Sequence, residues 1–294
     1  MSETRKRKWG DRRDGFKVKA PGLQTVMTAL MPNRTDRECY LHETIDVTDL
    51  LKYLEEQNAS HPDCKITLFH CFVMALTKMF HERPYMNRFI QGGSIYERYE
   101  ISCAFVAKRR FADHAEEALM FLVPKESDTL YDIARTIIGD VTEARKSEHA
   151  TGGVDELLDK FAAMPKLLMM FLVWIIRCMD FWGVNPKFIT DGDPNYASIF
   201  LSNLGSIKCP AVYHHLNNYG TNSCMITIGT IHKEELIMPD QTKAIRDVVE
   251  IGATIDESIA DGFYFGRSLK LVKHLFAHPE LLSLPLNTPS NFEY

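Results

Sequence analysis

Apolar residues at Leu68, Cys71, Phe72, Ala75, Leu76 and Met79 recur at helical spacing, so a helix starts after Thr67 and Pro84 ends it. Tyr40–Asp46 reads as extended chain, with Thr48 positioned to cap a helix running through Leu54. Ile101–Ala107 and Leu119–Val123 read as strands. Ser127 or Asp128 caps a further helix carrying Leu130, Ile133, Ala134, Ile137 and Ile138. The C-terminal third returns to strands at Ser198–Leu201, Cys224–Ile228 and Val248–Ile255, then to a helix from Asp261 to about His278. Strands and helices mix without alternating regularly. The pattern therefore predicts an α/β domain with a mixed, largely antiparallel sheet covered by helices rather than a doubly wound one.

Residues 152–190 break this rhythm. A helical pattern over Val154, Leu157, Leu158 and Phe161 stops at Pro165, and ten unbroken apolar residues follow, Leu167 to Ile176, between Lys166 and Arg177. That run is too short for a bilayer span, which takes about 20 residues. A helix apolar on all sides is expected to be buried, either in the fold or between subunits; a membrane surface is the alternative cover. The domain is expected over 23–282, with a helical insertion at about 152–190. A charged arm over 1–22 precedes it, and a Pro- and Asn-containing tail over 283–294 is expected to be mobile.

Composition narrows the picture without adding chemistry. The 294 residues are 45% hydrophobic and 25% charged, with a net charge of −5, so a nucleic-acid surface is not expected despite the basic run Arg5–Lys8. Seven scattered cysteines form no CxxC pair and read as reduced thiols. With a charged N-terminus lacking an apolar segment, they predict a cytoplasmic protein.

Two short stretches carry candidate chemistry. In Phe200-Leu201-Ser202-Asn203-Leu204-Gly205 a strand delivers a hydroxyl to its end and the chain then turns; such a serine can donate to an oxygen that becomes negative in a tetrahedral intermediate. The second is Thr254-Ile255-Asp256-Glu257-Ser258-Ile259-Ala260-Asp261-Gly262. In this order the pair resembles the catalytic domain of 2-oxoacid dehydrogenase acyltransferase subunits, of the chloramphenicol-acetyltransferase-like superfamily, where the second stretch reads Asp-His-Arg-x-x-Asp-Gly or His-His-x-x-x-Asp-Gly. Ile45–Leu50, Ala75-Leu76 with Pro84–Asn87, and Asp128–Ala134 resemble further family segments, so the likeness spans roughly 40–280. No lipoyl carrier or linker is seen, which implies a free-standing domain.

The resemblance implies a homotrimer with sites between subunits, coenzyme A or an acyl-CoA as substrate, no covalently bound cofactor, and Ser202 as the transition-state donor. It makes Asn203, Gly205, Asp261 and Gly262 structural, with Asp261 held by an arginine near the N-terminus; Arg34 and Arg12 are the candidates. The motif histidine is replaced by Glu257, and a solvated carboxylate is a much weaker base than imidazole. His214 or His215, in the stretch before the next strand, is the alternative base. Adjacent residues of a strand face opposite ways, so at most one of the two would serve. His274 and His278 share a helix face but lack an evident third ligand, so no metal is expected, and Asp191-Gly192-Asp193 reads as a turn. Two functional expectations stand side by side: an acyltransferase moving an acyl group from a thioester to an unknown acceptor, and a degenerate relative acting as a trimeric scaffold. A membrane-surface protein is a third.

Overall fold

The computed structural model describes residues 7, 8, 10–108, 117–146 and 163–293. A large sheet runs in the order β2 (Glu38–Asp46), β10 (Lys243–Asp256), β8 (Cys224–Ile228), β7 (Ile199–Asn203), β5 (Cys103–Lys108), β6 (Glu117–Leu122). β5, β7 and β8 are mutually parallel and every other pair is antiparallel. This is the mixed, largely antiparallel α/β sheet that the pattern predicts. β10 is longer than expected because its first half pairs with β9 (His232–Ile237), an exposed strand too polar to stand out in the sequence.

Helices α2 (Thr48–Ser60), α3 (Leu68–Glu82), α4 (Leu130–Lys146) and α7 (Gly262–Ala277) contribute to one apolar core with the sheet. α3 packs against both α4 and α7 and is buried continuously from His70 to Phe80. Thr67 caps it in a reciprocal box with His70, whose Nδ1 accepts from the Thr67 amide at 3.1 Å.

A small second sheet, β1 (Gly15–Lys17), β4 (Ser94–Arg98) and β3 (Arg88–Gln91), draws in the N-terminal arm. Arg12 is 7% exposed and donates to the carbonyl of Asp180 at 2.8 Å, so the arm is part of the fold from about residue 11. The expected mobile tail is also docked. Leu286 is buried, Ser290 donates to Glu82 through both its amide and its hydroxyl, and the buried Lys78 ammonium donates to the carbonyls of Pro285 and Thr288. A buried ammonium needs acceptors, and the tail supplies them.

Of the 152–190 insertion, residues 152–162 lie outside the described residues, including the helical pattern before Pro165. The apolar run forms α5 (Lys166–Trp182), closed by Gly183 in the left-handed conformation, and a short α6 (Lys187–Thr190) follows. Among the described residues, the expectation that α5 is covered in the fold is not met. Its one buried residue is Asp180, while Leu167 is 83% and Trp174 60% exposed.

Candidate active site

Ser202 sits near the C-terminal end of β7, half-buried, in register with Thr227 of β8. Asn203 caps the following turn through its side chain, which accepts from the Ser206 amide at 3.3 Å. Gly205 is required there, since a Cβ would stand 2.5 Å from the Gly229 carbonyl oxygen. The Ser202 hydroxyl makes no hydrogen bond among the described residues. It borders a cleft of about 930 Å³ walled by apolar side chains including Phe69, Phe105, Ile137 and Val141, with Lys65, Lys108 and Arg145 also lining it.

His214 and His215 line the same cleft. They lie in irregular chain rather than a strand, and their rings stack 4.7 Å apart, so the expectation that they face opposite ways fails. What holds this segment is legible in its neighbours. Thr227 Oγ1 donates to the Val212 carbonyl and accepts from the Val212 amide at 3.1 Å. Gly252 leaves room for that carbonyl, which would be 2.4 Å from a Cβ. The Leu216 amide donates to Glu38, and Tyr213 packs on Tyr40. His214 Nδ1 lies 2.9 Å from the His215 carbonyl oxygen; a carbonyl only accepts, so Nδ1 carries the proton and Nε2 keeps its lone pair.

His70 is a third imidazole on the cleft, one that the sequence reading missed. Burial lowers its pKa to about 4, so it is neutral near pH 7. With Nδ1 accepting from Thr67, its proton sits on Nε2. The spacing Thr67-x-x-His70, a capping box with histidine in place of glutamate, was the available signal.

Glu257 is elsewhere. Ser202 aligns with Thr227, and Thr227 with Gly252, so Glu257 lies two strands across and five residues along, at the opposite end of the sheet. Strand spacing puts the two roughly 20 Å apart. Glu257 is exposed, its amide donates to the Arg37 carbonyl, and its carboxylate does not line the cleft. Within one chain it cannot act on an atom held by Ser202.

The arginine of the second motif is neither Arg34 nor Arg12, and its partner is not Asp261. Arg37, 3% exposed, makes a two-pronged contact with Asp256, 0% exposed, at 3.0 and 3.2 Å. Asp256 also accepts from the Ser258 amide, which shapes the loop carrying Glu257. Arg34 instead donates to the carbonyls of Asn217 and Gly220, and Arg12 pairs with Asp14. Asp261 is exposed and caps α7, accepting from the Tyr264 amide at 2.7 Å; Gly262 opens that helix with free space around it. Register was the missed signal for Arg37: β2 pairs Glu38 with Asp256, which sets Arg37 beside the motif. The His274 and His278 rings pack tilted at 48° with centroids 4.6 Å apart, and no group of three metal-ligating side chains occurs among the described residues.

No family model matches this sequence, and no curated protein matches it. Solved structures do. A probable dihydrolipoamide acetyltransferase from Listeria monocytogenes aligns over 94% of this chain and 97% of its own, with TM-score 0.59 and 16% identity. The dihydrolipoamide acetyltransferase of Azotobacter vinelandii aligns over 92% and 95%, with TM-score 0.59 and 12% identity. A truncated catalytic core of the 2-oxoacid dehydrogenase multienzyme complex from Thermoplasma acidophilum aligns over 89% and 98%, with TM-score 0.54 and 13% identity.

The chain has the chloramphenicol-acetyltransferase-like fold. At these identities the likeness establishes the fold and leaves the chemistry to this chain's own residues. A serine, a histidine and an asparagine are the residues investigated in the catalytic mechanism of the Azotobacter protein. In this chain the histidines that share the cleft with Ser202 come from the segment before β8 and from α3.

Proposed function

We propose that this protein is an acyltransferase that moves an acyl group from an acyl thioester, with coenzyme A as carrier, to a nucleophilic acceptor. The observation that carries this reading is the shared cleft, with an unengaged serine hydroxyl and an imidazole of fixed tautomer on its walls. In the forward step His214 Nε2 takes the proton from the acceptor thiol, hydroxyl or amine as that atom attacks the thioester carbonyl. Ser202 donates to the oxygen that becomes negative. The tetrahedral intermediate collapses, the C–S bond breaks, and the thiolate of coenzyme A leaves with the proton from His214. Apolar walls suit an acyl chain and the pantetheine arm, and Lys65, Lys108 and Arg145 suit phosphates.

Self-association belongs to the same proposal. Around Ser202 the chain exposes Ile207, Val212 and Tyr213; around Glu257 it exposes Leu23 and Val26 of α1 (Gly22–Leu30) together with Phe263. Gln24 of α1 donates to the Ser258 carbonyl, so that helix borders the Glu257 loop. Two different apolar patches at opposite sheet ends fit a head-to-tail contact, which closes into a ring. A homotrimer would then bring Glu257 of one copy near Ser202 of the next, where an exposed carboxylate remains a much weaker base than an imidazole. Light scattering at a multiple of 33.7 kDa supports this, and a stable monomer at micromolar concentration argues against it.

The degenerate-scaffold reading rests on Glu257 itself, an exposed carboxylate where the family places its base. Coenzyme A soaked into crystals separates the two. Density with the thiol beside Ser202 and His214 supports the enzyme, whereas an empty cleft at saturating ligand supports the scaffold.

A further inference from the structure

α5 leaves the body of the protein held by its C-terminal end. There Asp180 is buried and accepts from Tyr196 at 2.7 Å and Gln91 at 2.6 Å, while Arg12 donates to its carbonyl. Before that anchor one side of the helix is half-buried, with Met169, Leu172, Ile175 and Ile176, and the other side is exposed. Leu167, Leu168, Met170, Phe171, Val173 and Trp174 are between 44% and 83% exposed. At 100° per residue these six cover well over half of the helix circumference, far wider than the stripe of about 100° that one packed partner face occupies.

Two further features identify the cover. Aromatic rings cluster along the exposed stretch: Phe171 stacks on Trp174, and Trp182 and Phe188 are 75% and 74% exposed. Such rings favour the boundary between lipid and water. In addition, three of the exposed charges on the two helices and their caps, Lys166, Arg177 and Lys187, are positive against one negative, Asp191, in a chain whose net charge is −5. No helix among the described residues is long and apolar enough to cross a membrane. A short helix, apolar over most of its girth, with aromatic rings and basic flanks, suits burial at the level of lipid headgroups.

We propose that α5 and α6 form a foot that seats this protein on an anionic lipid surface. The foot is separate from the cleft, and the proposal stands or falls independently of acyl transfer.

The test uses the full chain with vesicles of phosphatidylcholine, alone or with about 30% phosphatidylglycerol. The protein should co-sediment with the anionic vesicles and be released by about 0.5 M salt. Two of the three tryptophans, Trp174 and Trp182, lie in the foot, so emission should shift to the blue on binding. Phe171→Glu with Trp174→Glu should weaken binding at least about tenfold. Ile237→Glu, which changes an equally exposed residue on β9, should not. Circular dichroism should show all variants folded. Absence of binding to either vesicle overturns the proposal. So does an oligomer that the double variant converts to monomer, because the helix would then be an interface between copies.

Discussion

Replacing His70 by glutamine isolates one buried proton site. The ring is 5% exposed, and burial holds its pKa at about 4 against an ordinary 6.5. Between those values the unfolded chain binds a proton that the folded chain refuses, so stability falls as the pH drops from 6.5 to 4 and levels off below. A shift of this size is worth roughly 3 kcal/mol at full development. Glutamine keeps an acceptor for the Thr67 amide, preserving the capping box, but does not titrate. Urea denaturation of both proteins, at one protein concentration from neutral pH down to about pH 4, reads the difference. The wild type should lose roughly 3 kcal/mol more than His70→Gln, about 1 M in midpoint for a slope of about 3 kcal/mol per M. Parallel curves would refute the claim that His70 is held neutral by burial.

Arg37→Met should destabilise the fold by about 3–5 kcal/mol in denaturant, because it leaves the buried Asp256 unpaired, and adding Asp256→Leu should recover much of the loss. Gly252→Ala should push the Val212 carbonyl away, costing about 1–3 kcal/mol of stability and lowering acyl transfer by displacing His214. Deleting residues 284–294 should lower Tm by about 5 °C, since it removes the buried Leu286 and leaves the Lys78 ammonium without its acceptors; an unchanged Tm would mean that the tail contributes nothing.

Regular elements that contribute to the core were legible in the sequence. α3, α4, β8 and α7 follow from periodicity because burial dictates their pattern. β9 was not legible, because both its faces meet water and its residues carry no alternation. The C-terminal tail reads as mobile for a related reason: its fixing contacts, Lys78 and Glu82 of α3 among them, lie far away along the chain. α5 shows the opposite case, since its apolar run implies cover in the fold or between copies, and the described residues of one chain leave one side of it exposed. In the site, Ser202 was legible from a local turn, whereas the Arg37–Asp256 pair needed strand register and the stacked His214–His215 pair needed the path of an irregular segment.

The central claim, that Ser202 and His214 are the working groups and Glu257 is not, is tested most directly by release of coenzyme A from acyl-CoA across a panel of thiol, amine and alcohol acceptors. With a productive acceptor, Ser202→Ala should slow release by roughly two to three orders of magnitude. His214→Gln should slow it about a hundredfold or more. Glu257→Gln should leave it nearly unchanged. A collapse in Glu257→Gln with His214→Gln unaffected would contradict the account, as would coenzyme A binding with no acceptor acylated by any of the four proteins.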